Sequence, residues 1–242
     1  AGMTPVREAI RHRQVMLAFQ PVVQARRQDA VAFHEGLIRV LDDTGRVVPA
    51  REFIETVEES EDGRVLDCLA LEQGLRELER EPGLRLAINM SARSIGYGDW
   101  LDTLTRGLRT GPTVAERLIL EITESSAMIV PELVISFMDD LQARGVAFAM
   151  DDFGAGYTAL RHFKQFSFDI LKIDGQFIRG SDLKSVQAIM GMGRSLASSP
   201  MKSNRRAPVL SNCLTRTTRS RMSIRLLWRS TAKGVLAVSS LS

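Results

Sequence analysis

Four short apolar runs constrain this chain more than any other feature, because each one stops on a polar residue that can bind an ion or a phosphate. Leu-Ala-Ile at 86–88 runs into Asn89, and Leu-Ile-Leu at 118–120 into Glu121. Ala-Phe-Ala-Met at 147–150 runs into Asp151 and Asp152, and Ile-Leu at 170–171 into Lys172. Such runs are continuous rather than alternating, the pattern of strands covered on both faces of a parallel sheet. Between and around them lie stretches with helical signals, at 53–59, 64–79, 99–108, 131–144, 157–165 and 182–196. The second carries Val65, Leu66, Leu69, Leu75 and Leu78, close to a 3.6-residue period. Two earlier strands are expected at 18–23, a first or edge strand because it holds Pro21, and at 31–40, which holds Glu35. Strand and helix alternating in this way predict an α/β fold with six strands before residue 198. In a closed parallel barrel all strand C-termini share one rim, where barrel enzymes keep their sites.

One polar residue at a strand end needs no explanation beyond the strand's ending. Five successive strands delivering Glu35, Asn89, Glu121, Asp151 with Asp152, and Lys172 call for a site. Together the carboxylates would repel one another strongly in a pocket. A divalent cation relieves that repulsion, and an all-oxygen donor set selects Mg²⁺ or Mn²⁺ over Zn²⁺. After the paired aspartates comes Phe-Gly-Ala-Gly-Tyr at 153–157, either an ordinary strand-to-helix turn or a loop whose position sets a second metal. None of His12, His34 and His162 fits a ligand pattern, and alternation points His34 away from the side that Glu35 faces. Cys68 and Cys213 are too few for a disulfide framework or a thiolate cage. No nucleotide-binding glycine fingerprint is present.

These blocks, taken in order and at their spacing, resemble the EAL phosphodiesterase family over residues 14–198. Phe-Gln-Pro-Val-Val at 19–23 is similar to the family's opening strand. Glu35-Gly36-Leu37-Ile38-Arg39 stands where its namesake Glu-Ala-Leu-x-Arg stands. Pro49, Phe53 and Ile54 match the following helix entry. Asn-Met-Ser at 89–91, Glu-Ile-Thr-Glu at 121–124, the segment 151–157 and Leu-Lys-Ile-Asp at 171–174 match the next four blocks. The resemblance implies a TIM-type (β/α)8 barrel, with the last two units open to question. It implies hydrolysis of one phosphodiester bond of the bacterial messenger cyclic di-GMP, to linear pGpG, by a water activated by Mg²⁺ or Mn²⁺. Glu35, Asn89, Glu121 and Asp151 would hold the first metal, and Asp151 with Asp152 the second. Lys172 would supply positive charge beside the attacking water and the phosphate, so Lys172, Glu35 and Asp151 form the expected catalytic set. Gln20 and Arg39 would contact the ligand, Arg39 through a phosphate. Glu124 would pin the glycine-rich loop, the other reading being a surface carboxylate at a helix start. Family members also form homodimers, which makes 153–166 a candidate interface.

The resemblance stops near residue 199. The family continues with a strand carrying Ala-Glu-Gly-Val-Glu and another near Gln-Gly-Tyr, which supply a further metal glutamate and a ligand glutamine. Residues 199–242 hold nine basic side chains and no Asp or Glu. The first 198 residues therefore carry 23 basic against 29 acidic side chains, so the overall charge of +3 belongs to the tail. A reading-frame change best fits so abrupt a switch. The alternatives are a true C-terminus completing the barrel, with strands at 208–211 and 235–239, or an added basic tail. The tail keeps open a second function, that of an impaired domain that binds cyclic di-GMP or a partner without cleaving. An unrelated metal-dependent barrel enzyme is the third reading. Gly36 in place of the family's alanine is expected to matter little, and Val40, where tryptophan is common, to loosen packing or contacts by the ligand. No run approaches the roughly 20 apolar residues of a membrane span and no signal-peptide core is seen, which argues for a cytoplasmic location. Nucleic-acid binding is not expected of the main domain.

Overall fold

A computed structural model describes residues 3–24, 27–153 and 166–173, and short strands at 213–216, 222–223, 227–229 and 237–238. The expected helices at 157–165 and 182–196, the strand at 208–211 and most of the candidate interface lie outside the described residues.

The chain opens with α1 (Met3–Arg11), then β1 (Val15–Gln24) and β2 (Arg27–Leu41). An Asx turn on Asp42, which accepts from Thr44 and Arg46 backbone amides, leads into β3 (Val47–Pro49). Next come α2 (Ile54–Val57), α3 (Glu61–Arg80), β4 (Leu86–Asn89), α4 (Gly98–Leu108) and α5 (Val114–Arg117). Then follow β5 (Leu118–Thr123), α6 (Glu124–Ala127), α7 (Pro131–Ala143), β6 (Ala147–Phe153) and β7 (Ile170–Ile173). Strands β2, β4, β5, β6 and β7 run parallel in that spatial order, with helices as the crossovers from β2 to β4, β4 to β5 and β5 to β6. Among the described residues the fold is thus α/β, built on a parallel sheet as the sequence predicts.

Several details differ from the expectation of a simple alternating unit. β1 is antiparallel to β2, because only residues 25–26 separate the two, too few for a parallel crossover. Helix α1, which lies ahead of the stretch 14–198, has Val6, Ala9 and Ile10 buried with Val40, Phe53 and Leu66. Val40, expected to loosen packing, is fully buried in that cluster. The four tail strands are β8 (Cys213–Arg216), β9 (Met222–Ser223), β10 (Leu227–Arg229) and β11 (Ala237–Val238). β8 pairs with β1, while β10 and β11 pair with β7. Both edges of the six-strand sheet are therefore covered by tail segments rather than left open.

Strand parity decides what faces where. Leu86, Ile88, Leu118, Leu120, Phe148, Met150 and Leu171 pack outward against Leu71, Leu75, Trp100, Val134 and Phe137 of the helix layer. Their alternates, Ala87, Ile119, Ala147, Ala149 and Ile170, form a separate inner cluster with Val22 and Phe33. Both sets are buried, which is why the runs read as continuous. The space of the methyl absent at Gly36 is already taken, since a Cβ there would lie 2.8 Å from Ile88 Cδ1. The atom in that space is the far end of the flexible Ile88 side chain.

Candidate metal and phosphate site

Continuing the inner parity one step toward the strand ends reaches Glu35 after Phe33, Asn89 after Ala87, Glu121 after Ile119, Asp151 after Ala149 and Lys172 after Ile170. Inner apolar side chains thus form the floor beneath a polar rim. Register brings the rim into line: Asn89 pairs with Glu121, and Gln20 with Glu35.

Glu35, Glu121, Asp151 and Lys172 are all buried. The Lys172 ammonium donates to Asp151 Oδ2 at 2.6 Å, Glu121 Oε2 at 2.7 Å and Glu35 Oε1 at 3.1 Å. Three carboxylates from three separate strands so converge on one positive charge. Ligand oxygens of the three lie within 4.8 Å of one another, close enough to share an ion. At that distance each pair repels by about 3–4 kcal/mol at an effective dielectric constant near 20, so the group requires a cation. The donor set is all oxygen and already gathers an ammonium, so it fits a hard divalent ion.

The paired aspartates break the strand's alternation. Asp151 and Asp152 together oppose Lys172, between the pairs Met150–Leu171 and Phe153–Ile173, which is a β-bulge. Asp152 takes a left-handed backbone, φ 53°, a conformation aspartate tolerates better than most residues. Its amide donates to Asp151 Oδ1 at 3.0 Å. Because of the bulge, Phe153 joins the outer cluster, not the inner face that simple alternation would give it.

Lys172 is positioned from below. Asp169, just before β7, accepts the Phe148 amide and the Gln142 side-chain amide, each at 2.9 Å. Gln142 also donates to Ser167 O at 2.6 Å. These bonds lock the entry of β7 against β6 and α7.

On the other side of the rim, the turn after Asn89 is held by two elements. Asp67 Oδ2 accepts the Ser91 amide at 2.8 Å and the Ser94 hydroxyl at 2.6 Å. Burial raises the Asp67 carboxyl to about 6, although these two bonds pull it down. The Ala92 amide donates to Ser126 Oγ at 2.7 Å, and the Ser126 amide to Thr123 Oγ1 at 3.2 Å. Asp67 and Ser126 were not legible as site residues. The only hint at Asp67 was an acid between Leu66 and Cys68 on a helix that otherwise turns apolar residues inward.

Of the other expected site residues, Glu124 is 3% exposed at the start of α6, which removes the surface-carboxylate reading. Arg39 is half-buried on the parity of Glu35, and its guanidinium donates to Ile38 O at 2.9 Å. Burial lowers its pKa, as does Arg51, while Glu35 raises it. Gln20 is half-buried opposite Glu35. His34 is half-buried, and burial lowers its pKa. Its strand parity is opposite to that of the rim.

The family model of the EAL domain matches residues 4–199. The chain belongs to the EAL domain family. This EAL domain is 29% identical over 201 residues to the cyclic di-GMP phosphodiesterase NbdA of Pseudomonas aeruginosa, covering 79% of this chain and 26% of that protein. It is 29% identical over 183 residues to the cyclic di-GMP phosphodiesterase PdeF of Escherichia coli, covering 74% and 24%. The EAL domain thus spans about a quarter of the length of these curated relatives. The PaMucR phosphodiesterase, solved as a c-di-GMP complex, superposes with a TM-score of 0.66 at 28% identity, covering 80% of this chain and 82% of that one. An EAL domain protein of Listeria monocytogenes superposes with a TM-score of 0.68 at 23% identity, covering 81% and 78%, and bears on the fold. Among the described residues, no helix is long and apolar enough to cross a membrane.

Proposed function

We propose that this EAL domain hydrolyses one phosphodiester bond of cyclic di-GMP to linear pGpG with the help of Mg²⁺ or Mn²⁺. The observation that carries this reading is the convergence of Glu35, Glu121 and Asp151 within 4.8 Å at the rim. Two relatives named as cyclic di-GMP phosphodiesterases support it.

Glu35, Asn89, Glu121 and Asp151 would hold the first ion, and Asp152, freed from strand alternation by the bulge, would share a second with Asp151. A divalent ion held by these residues would supply Lewis-acid help at the phosphate and a nucleophile from water near neutral pH. Lys172 draws the phosphate toward the same spot and offsets charge that develops on its oxygens. Arg39 and Gln20 flank the rim from β2 and β1 and bind the nucleotide, Arg39 at a phosphate. For Glu124, buried at the start of α6, the role proposed is the loop-pinning one that the family resemblance implies.

A second reading has its own observation. Residues 199–242 contain no carboxylate, so the family's late glutamate has no counterpart there. On that reading the domain binds cyclic di-GMP without cleaving it. The deciding experiment incubates the whole chain with cyclic di-GMP and Mn²⁺ and separates products by liquid chromatography. Metal-dependent pGpG that disappears in Glu121→Gln supports hydrolysis. Calorimetric binding with no pGpG selects the receptor. Absence of binding together with turnover of another phosphate ester rejects both.

A further inference from the structure

We propose that Asp67 is a positioning residue for the β4 side of the site, fixing the turn that begins two residues beyond Asn89. The inference rests on the reading of Asn89 as a metal ligand. Asn89 ends β4, and its backbone course is set on one side by the Glu121 strand, since the Met90 amide donates to Glu121 O at 2.9 Å. Immediately afterwards the chain must turn toward the helix layer. Asp67 receives it there from α3, with both donors on the same oxygen: the Ser91 amide at 2.8 Å and the Ser94 hydroxyl at 2.6 Å. Ser126 holds the same turn from the opposite side through the Ala92 amide at 2.7 Å. The turn is thus clamped between an outer helix and the element that follows Glu121. Neither Asp67 nor Ser126 lies on an inner-facing strand position, so they act through the backbone between them.

Asp67 is half-buried on α3, and both donors to its Oδ2 come from the turn rather than from the helix. What the position needs is one acceptor oxygen able to take two bonds, which an asparagine carbonyl also provides. Partners that orient metal ligands typically change metal affinity by 10–100-fold when removed.

The test compares the whole chain with Asp67→Ala and Asp67→Asn, at a temperature well below the melting point of each. Mn²⁺ affinity is measured by electron paramagnetic resonance. The side-chain amide of Asn89 is followed by NMR in EDTA-treated protein, its signal assigned by its loss in Asn89→Asp. The expected result is that Asp67→Ala displaces the Asn89 signal and weakens Mn²⁺ binding about tenfold or more, while Asp67→Asn stays within about twofold of the parent on both. An Asp67→Ala protein that melts earlier but keeps the Asn89 signal and the Mn²⁺ affinity would overturn the inference. So would an Asp67→Asn protein as impaired as Asp67→Ala. If the parent itself takes no Mn²⁺, the metal reading fails by itself, and the Asn89 signal alone decides on Asp67.

Discussion

Replacing Lys172 by methionine, which keeps the length of the side chain and removes its charge, should expose how the rim is balanced. The ammonium bonds three buried carboxylates at 2.6, 2.7 and 3.1 Å. Removing one partner of a buried ion pair costs about 3–5 kcal/mol, since the other is left without its counter-charge. Here the mutual repulsion of three carboxylates, about 3–4 kcal/mol per pair, is released as well, part of it relieved by proton uptake and by water entering. A net loss of about 4 kcal/mol is expected in protein treated with EDTA. For a domain of this size that is a fall of roughly 8–16 °C in melting temperature, read by circular dichroism. The same geometry predicts the opposite effect on metal. The ammonium and a divalent ion draw on the same three carboxylates, so loading the site must move or weaken the lysine's bonds. In Lys172→Met that competition is gone, and Mn²⁺ should bind at least about tenfold more tightly, equivalent to about 1.4 kcal/mol. Mn²⁺ should then recover most of the lost melting temperature while cyclic di-GMP turnover stays low. A methionine variant as stable as its parent in EDTA, or one that binds Mn²⁺ more weakly, would refute the reasoning.

Three further outcomes follow from other parts of the structure. The Asp67 carboxyl, raised by burial to about 6 from an unfolded value of 3.8, keeps its proton longer in the folded chain than in the unfolded one. Stability should therefore fall as pH rises from about 4 to 6, by up to about 3 kcal/mol, and level off above. Asp67→Asn should lack that fall in urea titrations run across the range. At Gly36, alanine would place its methyl 2.8 Å from Ile88 Cδ1, so Gly36→Ala should lose about 1–2 kcal/mol. Adding Ile88→Val, which removes that carbon, should restore most of it in denaturant titrations. Arg117 donates to the carbonyls of Leu78, Glu81 and Leu84 at 2.6, 3.1 and 3.0 Å, closing the C-terminal end of α3. Arg117→Ala should cost about 2 kcal/mol, and lysine should recover only part, because it has one terminal nitrogen where the guanidinium reaches the three carbonyls with two, Nη1 and Nη2.

Much of the barrel was legible because its strands are buried on both faces, which leaves unbroken apolar runs at 86–88, 118–120 and 147–150. The rim residues were legible for the same reason, as the polar ends of those runs. Parity then predicts which face they share, and Glu35, Glu121, Asp151 and Lys172 meet accordingly. What sequence could not supply were features set by tertiary contact. The antiparallel entry of β1 depends on a short connection whose strand direction no periodicity encodes. The burial of α1 depends on partners such as Phe53 and Leu66, far along the chain. The clamp on the turn after Asn89 joins Asp67, Ser94 and Ser126, three polar residues that are unremarkable until the fold brings them together. The filling of the space beside Gly36 by Ile88 is likewise a matter of volume, which a one-dimensional reading does not see.

The bulge at Asp151 and Asp152 makes strand β6 count differently before and after it. Upstream, odd-numbered residues look into the barrel; downstream, Phe153 looks out to the helices, so the chain leaves the sheet half a step out of phase. Deleting either aspartate would therefore do more than remove a carboxylate. It would return the strand to regular pleating, with the Phe153 ring still turned to the helices and a single residue left opposite Lys172, whereas Asp152→Asn would keep the bulge and remove only a charge. The two changes separate the geometry of that doublet from its charge.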